Sequence, residues 1–241
     1  MTPVTAGTPL IEYPDSDGKP MADNTLQFEW IATIKGNLDL LFANDPDVFV
    51  AGDNLIYPVE GSPAICQAPD VYVAFGRKKG YRGSYKVWKE GGLFPQVIFE
   101  VLSPSNTTRE MVKKRKFYDT HGAEEYYVLD PDRLRMEGYV GGAKGLERIP
   151  SPIGWKSPRL GITFAMSDDL ELHYPGGSRF MTFVELGQLQ KETARQLVEE
   201  KRRTGSEKQR AESEKQRAEN EKQRAEKFAA KLRELGVDPD A

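Results

Sequence analysis

The 241-residue sequence contains a single cysteine, Cys66, and two isolated histidines, His121 and His173. It therefore permits no internal disulfide, no cysteine-based zinc site and no histidine cluster, and it fits the reducing cytosol, which makes a cytoplasmic location the expectation. No stretch approaches the ~18 to 20 consecutive apolar residues that a membrane helix needs. The opening MTPVTAGTPLIEY lacks a basic segment followed by an apolar one, so the reading is neither a standard export signal nor a membrane span. A basic surplus is missing as well. Net charge is −3, and since the last quarter of the chain is nearly balanced, the acidic excess lies in the remainder. Overall charge thus does not announce a nucleic-acid binder, and local patches must carry any such argument. Also absent are a Walker loop, a dinucleotide fingerprint and zinc-ligand spacing. With 38% hydrophobic residues, 22 Gly and 16 Pro, the chain is neither collagen-like nor wholly disordered, and one packed domain plus an appendage is expected.

What is present alternates. Residues 1–22 have no hydrophobic period and read as an irregular lead-in. From Asn24 to Ala43, Leu26, Trp30, Ile31, Ile34, Leu38, Leu41 and Phe42 recur at helical spacing, with Asn24 and Gln27 placed like a capping box. Short β-branched and aromatic runs follow at 48–52, 70–75 and 96–102. The last, QVIFEVL, is apolar on both faces, as in a covered central strand. A second helix starts at the Thr107/Glu110 capping box and ends at Gly122, and the strand EYYVLD comes next. This order predicts an α/β core rather than an all-β sandwich. Short strands fill 136–174, and a helix beginning after Thr182 is expected to stop at Thr204-Gly205.

Glu100 is the residue that most demands an explanation. A carboxylate in a strand apolar on both faces needs a partner, a metal or a proton, at a cost otherwise of several kcal/mol. Asp70 follows Pro69 at the start of DVYVAF, and if the strands at 70–75 and 96–102 are neighbours, the two acids meet on one face. Such a pair suits Mg²⁺, or Mn²⁺, which takes one or two protein carboxylates and keeps several waters. The backbone carbonyl of Val101 could complete the set. A lysine would orient the attacking water and stabilise charge on phosphorus. Stepping 100° per residue along the second helix, Met111, Phe117 and Tyr118 define the inward side, Lys114 falls between the last two, and Lys113 and Lys116 point away. Arg115 lies near the same face, with Lys114 preferred. Between the two acids, Arg77, Lys78, Lys79, Arg82, Lys86 and Lys89 are interleaved with Tyr81, Tyr85 and Trp88. That excursion reads equally as a phosphate- and base-contacting lip or as a solvated hairpin whose aromatics pack on the core.

The segments APDVYVAFG, RGSYKVW, PQVIFEVLSPSN and KKRKFYDTHGAEEYYVLDPD resemble a large bacterial family of restriction-endonuclease-like proteins, often labelled only as a domain of unknown function. That family is similar in turn to the PD-(D/E)XK nuclease superfamily. The resemblance covers roughly residues 24–175. It implies a mixed central sheet flanked by helices, DNA as the substrate, and Mg²⁺ held by Asp70 and Glu100. This sequence departs from the motif at its third position, where Leu102 replaces the lysine. The family is similar to nucleases whose lysine has moved onto the following helix, which again points to Lys114. Superfamily members often add a polar residue from the first helix; by the angular count Glu29 falls on the wet side and Gln27 faces inward.

The expected organisation is a lead-in (1–22), a nuclease-like domain (23–184), a helix (185–204) and a charged heptad-repeat helix or coiled coil (205–241). The tail repeats SEKQRAE, SEKQRAE, NEKQRAE from residue 206. Each unit offers one apolar residue, Ala211, Ala218 or Ala225, short of the two-position seam that drives pairing. A solvated helix supported by pairs such as Lys208 with Glu212, Lys215 with Glu219 and Lys222 with Glu226 competes with a homo-oligomer helped by Phe228, Leu232 and Leu235. Two functions follow as expectations. One is a Mg²⁺-dependent endodeoxyribonuclease using Asp70, Glu100 and Lys114; the other is a catalytically inactive nuclease-like module acting as a binding or oligomerisation scaffold through the tail.

Overall fold

The computed structural model describes residues 11–18 and 20–234. The start of the lead-in and Leu235 lie outside the described residues, as does the side chain of Leu232. The chain divides after Phe183 into two compact units.

In the first unit, Asn24 caps α1 (Thr25–Leu41) by accepting the Gln27 N–H. The chain then forms β1 (Val48–Ala51), β2 (Ile56–Tyr57), β3 (Val71–Phe75), β4 (Tyr85–Lys86), a 3₁₀ turn at Val87–Glu90 and β5 (Val97–Val101). Next come α2 (Thr108–His121), β6 (Glu125–Asp130), β7 (Arg135–Gly142), β8 (Gly145–Arg148), β9 (Thr163–Met166) and β10 (Leu170–His173). At the start of α2, Thr107 accepts the Glu110 N–H, and at its end Gly122 takes the left-handed conformation, φ 102°, at a helix terminus that favours glycine.

The main sheet has the order β1-β3-β5-β6-β7-β8. All its neighbours are antiparallel except β5 and β6, which run parallel because α2 forms the crossover between them. β5 is therefore central and its residues are buried throughout. On one face Val71, Val97, Phe99 and Tyr127 pack with Ile31, Ile34 and Leu38 of α1 and with Phe164, Leu170 and Leu172 of β9 and β10. On the other face Tyr72, Ile98, Tyr126 and Val128 pack with Tyr118 of α2. The alternation along QVIFEVL places Glu100 on this second face, under α2.

The second unit, from Val184, is formed by α3, whose helical residues run unbroken from Phe183 to Glu234. The stop expected at Thr204-Gly205 does not occur. An interior glycine costs only about 1 kcal/mol relative to alanine, and the flanking Glu, Lys, Arg, Gln and Ala are strong helix formers. Among the described residues the Lys208–Glu212, Lys215–Glu219 and Lys222–Glu226 pairs are not closed; ion pairs form nearer the start, as in Arg202–Glu199 at 3.0 Å and Arg203–Glu207 at 3.2 Å. No helix of the described residues is long and apolar enough to cross a membrane.

Candidate active site

The β3–β5 register brings the two acids together. Val71 stands opposite Phe99, so one step further Asp70 stands opposite Glu100, on the α2 side, where the ladder ends. Asp70 is anchored there by the Val101 N–H, which donates to Oδ2 at 2.6 Å. Gly52 allows the approach: a Cβ at that position would lie 2.1 Å from the Asp70 carbonyl oxygen.

Glu100 is 2% exposed, and both of its oxygens are satisfied from α2. Lys114 Nζ donates to Oε2 at 2.7 Å and the Tyr118 hydroxyl to Oε1 at 2.6 Å. The two donors are four residues apart, so one helix face presents both. Burial drives the Glu100 carboxyl upward against the pull of Lys114 and Tyr118. Burial also raises Asp70, to about 8, with the neighbouring Glu100 adding to the rise and Lys114 and the Val101 amide opposing it. Lys114 feels burial in the opposite sense, but Glu100 and Asp70 outweigh it and the ammonium stays charged.

Gln27 holds the next peptide group, at the Val101 carbonyl. Its Nε2 donates to the Val101 carbonyl at 2.8 Å, while its Oε1 accepts the Asp23 N–H at 2.8 Å. Glu29 is exposed. The structure thus brings Asp70, Glu100, Val101, Lys114 and Gln27 into one constellation at the carboxyl end of β5.

Sequence reasoning missed two further acids here. Asp23 accepts the Ser103 hydroxyl at 2.6 Å and also that of Ser105, which ties the start of α1 to the β5–α2 loop. Asp53 has φ 55°, a left-handed conformation unusual outside glycine and often found at functional sites. Burial raises its carboxyl, Asp17 adds to this, and Lys114 opposes it. The signal for Asp53 was its place in the Gly52-Asp53-Asn54 turn, which reads only as the end of a strand. Asp23 is hidden as the residue before a helix cap.

Among the described residues, Asp17, Asp23, Gln27, Asp53, Asp70, Glu110 and Lys114 line a cleft of about 300 Å³, with Lys114 bridging from its wall to the buried Glu100. Among the described residues no three acid, histidine or cysteine side chains form a metal cluster by themselves. The donors present are two carboxylates and a backbone carbonyl. That set fits Mg²⁺, which binds few protein oxygens and retains water, and a divalent cation would offset the crowded negative charge of the cleft.

The basic excursion is largely committed elsewhere. Arg82 makes a two-point contact with Glu90, at 2.6 and 3.1 Å, and lies 4.0 Å from the Phe49 ring centroid. Lys79 donates to the Phe42 and Ala43 carbonyls just past α1. Lys86 sits over the Tyr13 ring, and Tyr85 is buried. Arg77 is half-buried, whereas Lys78 and Tyr81 are exposed. His121, in the last turn of α2, packs against Phe94 and Phe117, and burial lowers its pKa.

The fold is a mixed sheet flanked by helices, with Asp70 opposed to Glu100 at the end of β3 and β5, the arrangement that the sequence resemblance implied. Residues 11–161 match the Uma2 family model, described as "Putative restriction endonuclease". The chain belongs to the Uma2 family. Among solved structures it is similar to a protein from Anabaena variabilis ATCC 29413, described as a "putative nuclease belonging to DUF820", at 14% identity over 56% of this chain and 72% of that one, with a TM-score of 0.39. No curated protein matches.

Proposed function

We propose that the protein is a Mg²⁺-dependent endonuclease that hydrolyses DNA phosphodiester bonds at the cleft above Glu100. The observation that carries this reading is the meeting of Asp70, Glu100 and Lys114 at the end of β3 and β5, with Lys114 Nζ 2.7 Å from Glu100. Asp70, Glu100 and the Val101 carbonyl would hold the ion. When bound, it would supply Lewis-acid stabilisation of charge at phosphorus and a more acidic water.

The chain's own groups have separable tasks. Asp70, fixed by the Val101 N–H, supplies a carboxylate whose position does not depend on a flexible side chain. Lys114 donates hydrogen bonds toward the attacking water and the phosphoryl oxygens, while Glu100 and Asp70 keep its ammonium charged. Tyr118 fixes the rotamer of Glu100, and Gln27 fixes the Val101 carbonyl. Leu102 stands where the usual motif has lysine, and α2, which packs over the same face, provides an amine to Glu100.

A nuclease assay on linear and circular DNA with Mg²⁺ or Mn²⁺ tests the reading. Cleavage by the wild type should vanish in Asp70→Ala, Glu100→Ala and Lys114→Ala. Equal cleavage by these variants would remove the proposal.

A further inference from the structure

A second cleft, of about 370 Å³, opens between α2 and the β6–β7 hairpin, and Asn106 lines both it and the carboxylate cleft. Its walls combine apolar surface from Leu102, Met111 and Met136 with cationic groups. The Arg115 guanidinium lies 4.7 Å from the Tyr139 ring centroid, making a flat platform. Arg133 and Arg135 flank the hairpin tip, where Leu134 takes φ 50°.

The acids of this cleft are already engaged. Asp130 accepts from the Arg133 N–H and guanidinium, each at 3.1 Å. Glu137 accepts the Tyr139 hydroxyl at 2.7 Å and Arg148 at 3.4 Å. Among the described residues no carboxylate pairs with Arg115 or Arg135, so the cleft is left cationic beside a strongly acidic one. Tyr126 also lines it, is 1% exposed, and its hydroxyl has no hydrogen-bond partner.

We propose that this second cleft receives a nucleotide of the substrate strand next to the one whose phosphate enters the carboxylate cleft. The inference rests on the nucleic-acid reading of that first cleft. The base lies against the apolar wall and the Arg115–Tyr139 platform, because stacking on aromatic and guanidinium planes accepts any base. Arg115 and Arg135 meet its phosphates. The cleft shared at Asn106 lets one strand run through both sites without leaving the surface.

The test measures binding apart from cleavage. The full-length protein is titrated onto a short fluorescein-labelled DNA strand, with Ca²⁺ in place of Mg²⁺, and anisotropy is read. Arg115→Ala and Arg135→Ala should each weaken binding about tenfold, whereas Lys113→Ala, which removes the same charge from the exposed side of α2, should change it less than about twofold. Arg135 is an exposed hairpin residue, so its variant keeps the test valid should Arg115→Ala fold poorly. Irradiation of a strand carrying 5-bromodeoxyuridine should crosslink it to residues that line this cleft. Equal effects of the Arg135 and Lys113 variants, crosslinks only outside this cleft, or no binding by the wild type would each overturn the proposal. If the wild type cleaves DNA but these variants bind normally, the inference fails and the nuclease reading stands. If it binds through Arg115 and Arg135 yet cuts nothing, the inference stands and the nuclease reading fails.

Discussion

Lys114 Nζ lies 2.7 Å from Glu100 Oε2, although the amine comes from the helix that follows the strand and the carboxylate from the strand itself. The pair is buried, so each partner is costly without the other. Lys114→Met should lower stability by about 3–5 kcal/mol at neutral pH, because it leaves a buried carboxylate unpaired. The loss should shrink in acid, where Glu100 protonates, and in the Glu100→Gln background. Urea unfolding of the two single variants and the double variant measures this coupling.

Tyr118→Phe keeps the ring in the core and deletes one hydrogen bond to Glu100. Hydrogen bonds to charged groups are worth about 1.5–3 kcal/mol, and a loss of that size is expected in urea melts. Activity should fall with it, since Glu100 then gains rotamer freedom.

Asp70 gives a pH signature. Its folded pKa, about 8, lies above the ordinary carboxyl value, so between the two the folded state holds a proton that the unfolded state has released. Metal-free stability should therefore be greatest in acid and decline as pH rises from about 4 toward 8, as far as this group is concerned. Asp70→Asn removes the decline. The same proton must leave when a cation binds, so Mn²⁺ affinity, measured by calorimetry, should strengthen with pH and level off above about 8.

Gly52→Ala tests the loop that carries Asp53. The added methyl would sit 2.1 Å from the Asp70 carbonyl oxygen, so the backbone must move. Cleavage should drop at least tenfold even if circular dichroism shows a folded protein, whereas Gly36→Ala, where a Cβ meets nothing within 4 Å, should be neutral or slightly stabilising.

Much of this arrangement was readable from the chain because it depends on periodicity. The two-residue repeat of VIFEV set Glu100 apart from Val97, Phe99 and Val101. The 3.6-residue repeat of α2 favoured Lys114 over Arg115, and the structure gives the two different clefts. Capping boxes placed the starts of α1 and α2. What was not readable depends on pairing across long separations. Nothing local says that Lys79 would cover the end of α1, or that Asp53 would enter the cleft through a left-handed turn. The composition of the excursion suggested a phosphate lip, and three of its cations serve as internal fastenings. In α3, a single glycine was given more weight than a long run of helix-forming neighbours allows.

The most direct measurement is anomalous diffraction from crystals of the full-length protein soaked in Mn²⁺. The account predicts a peak between the Asp70 and Glu100 carboxylates, within coordination distance of the Val101 carbonyl, that is absent from Asp70→Asn crystals treated identically. A peak elsewhere, or none at concentrations that support DNA cleavage, would contradict it.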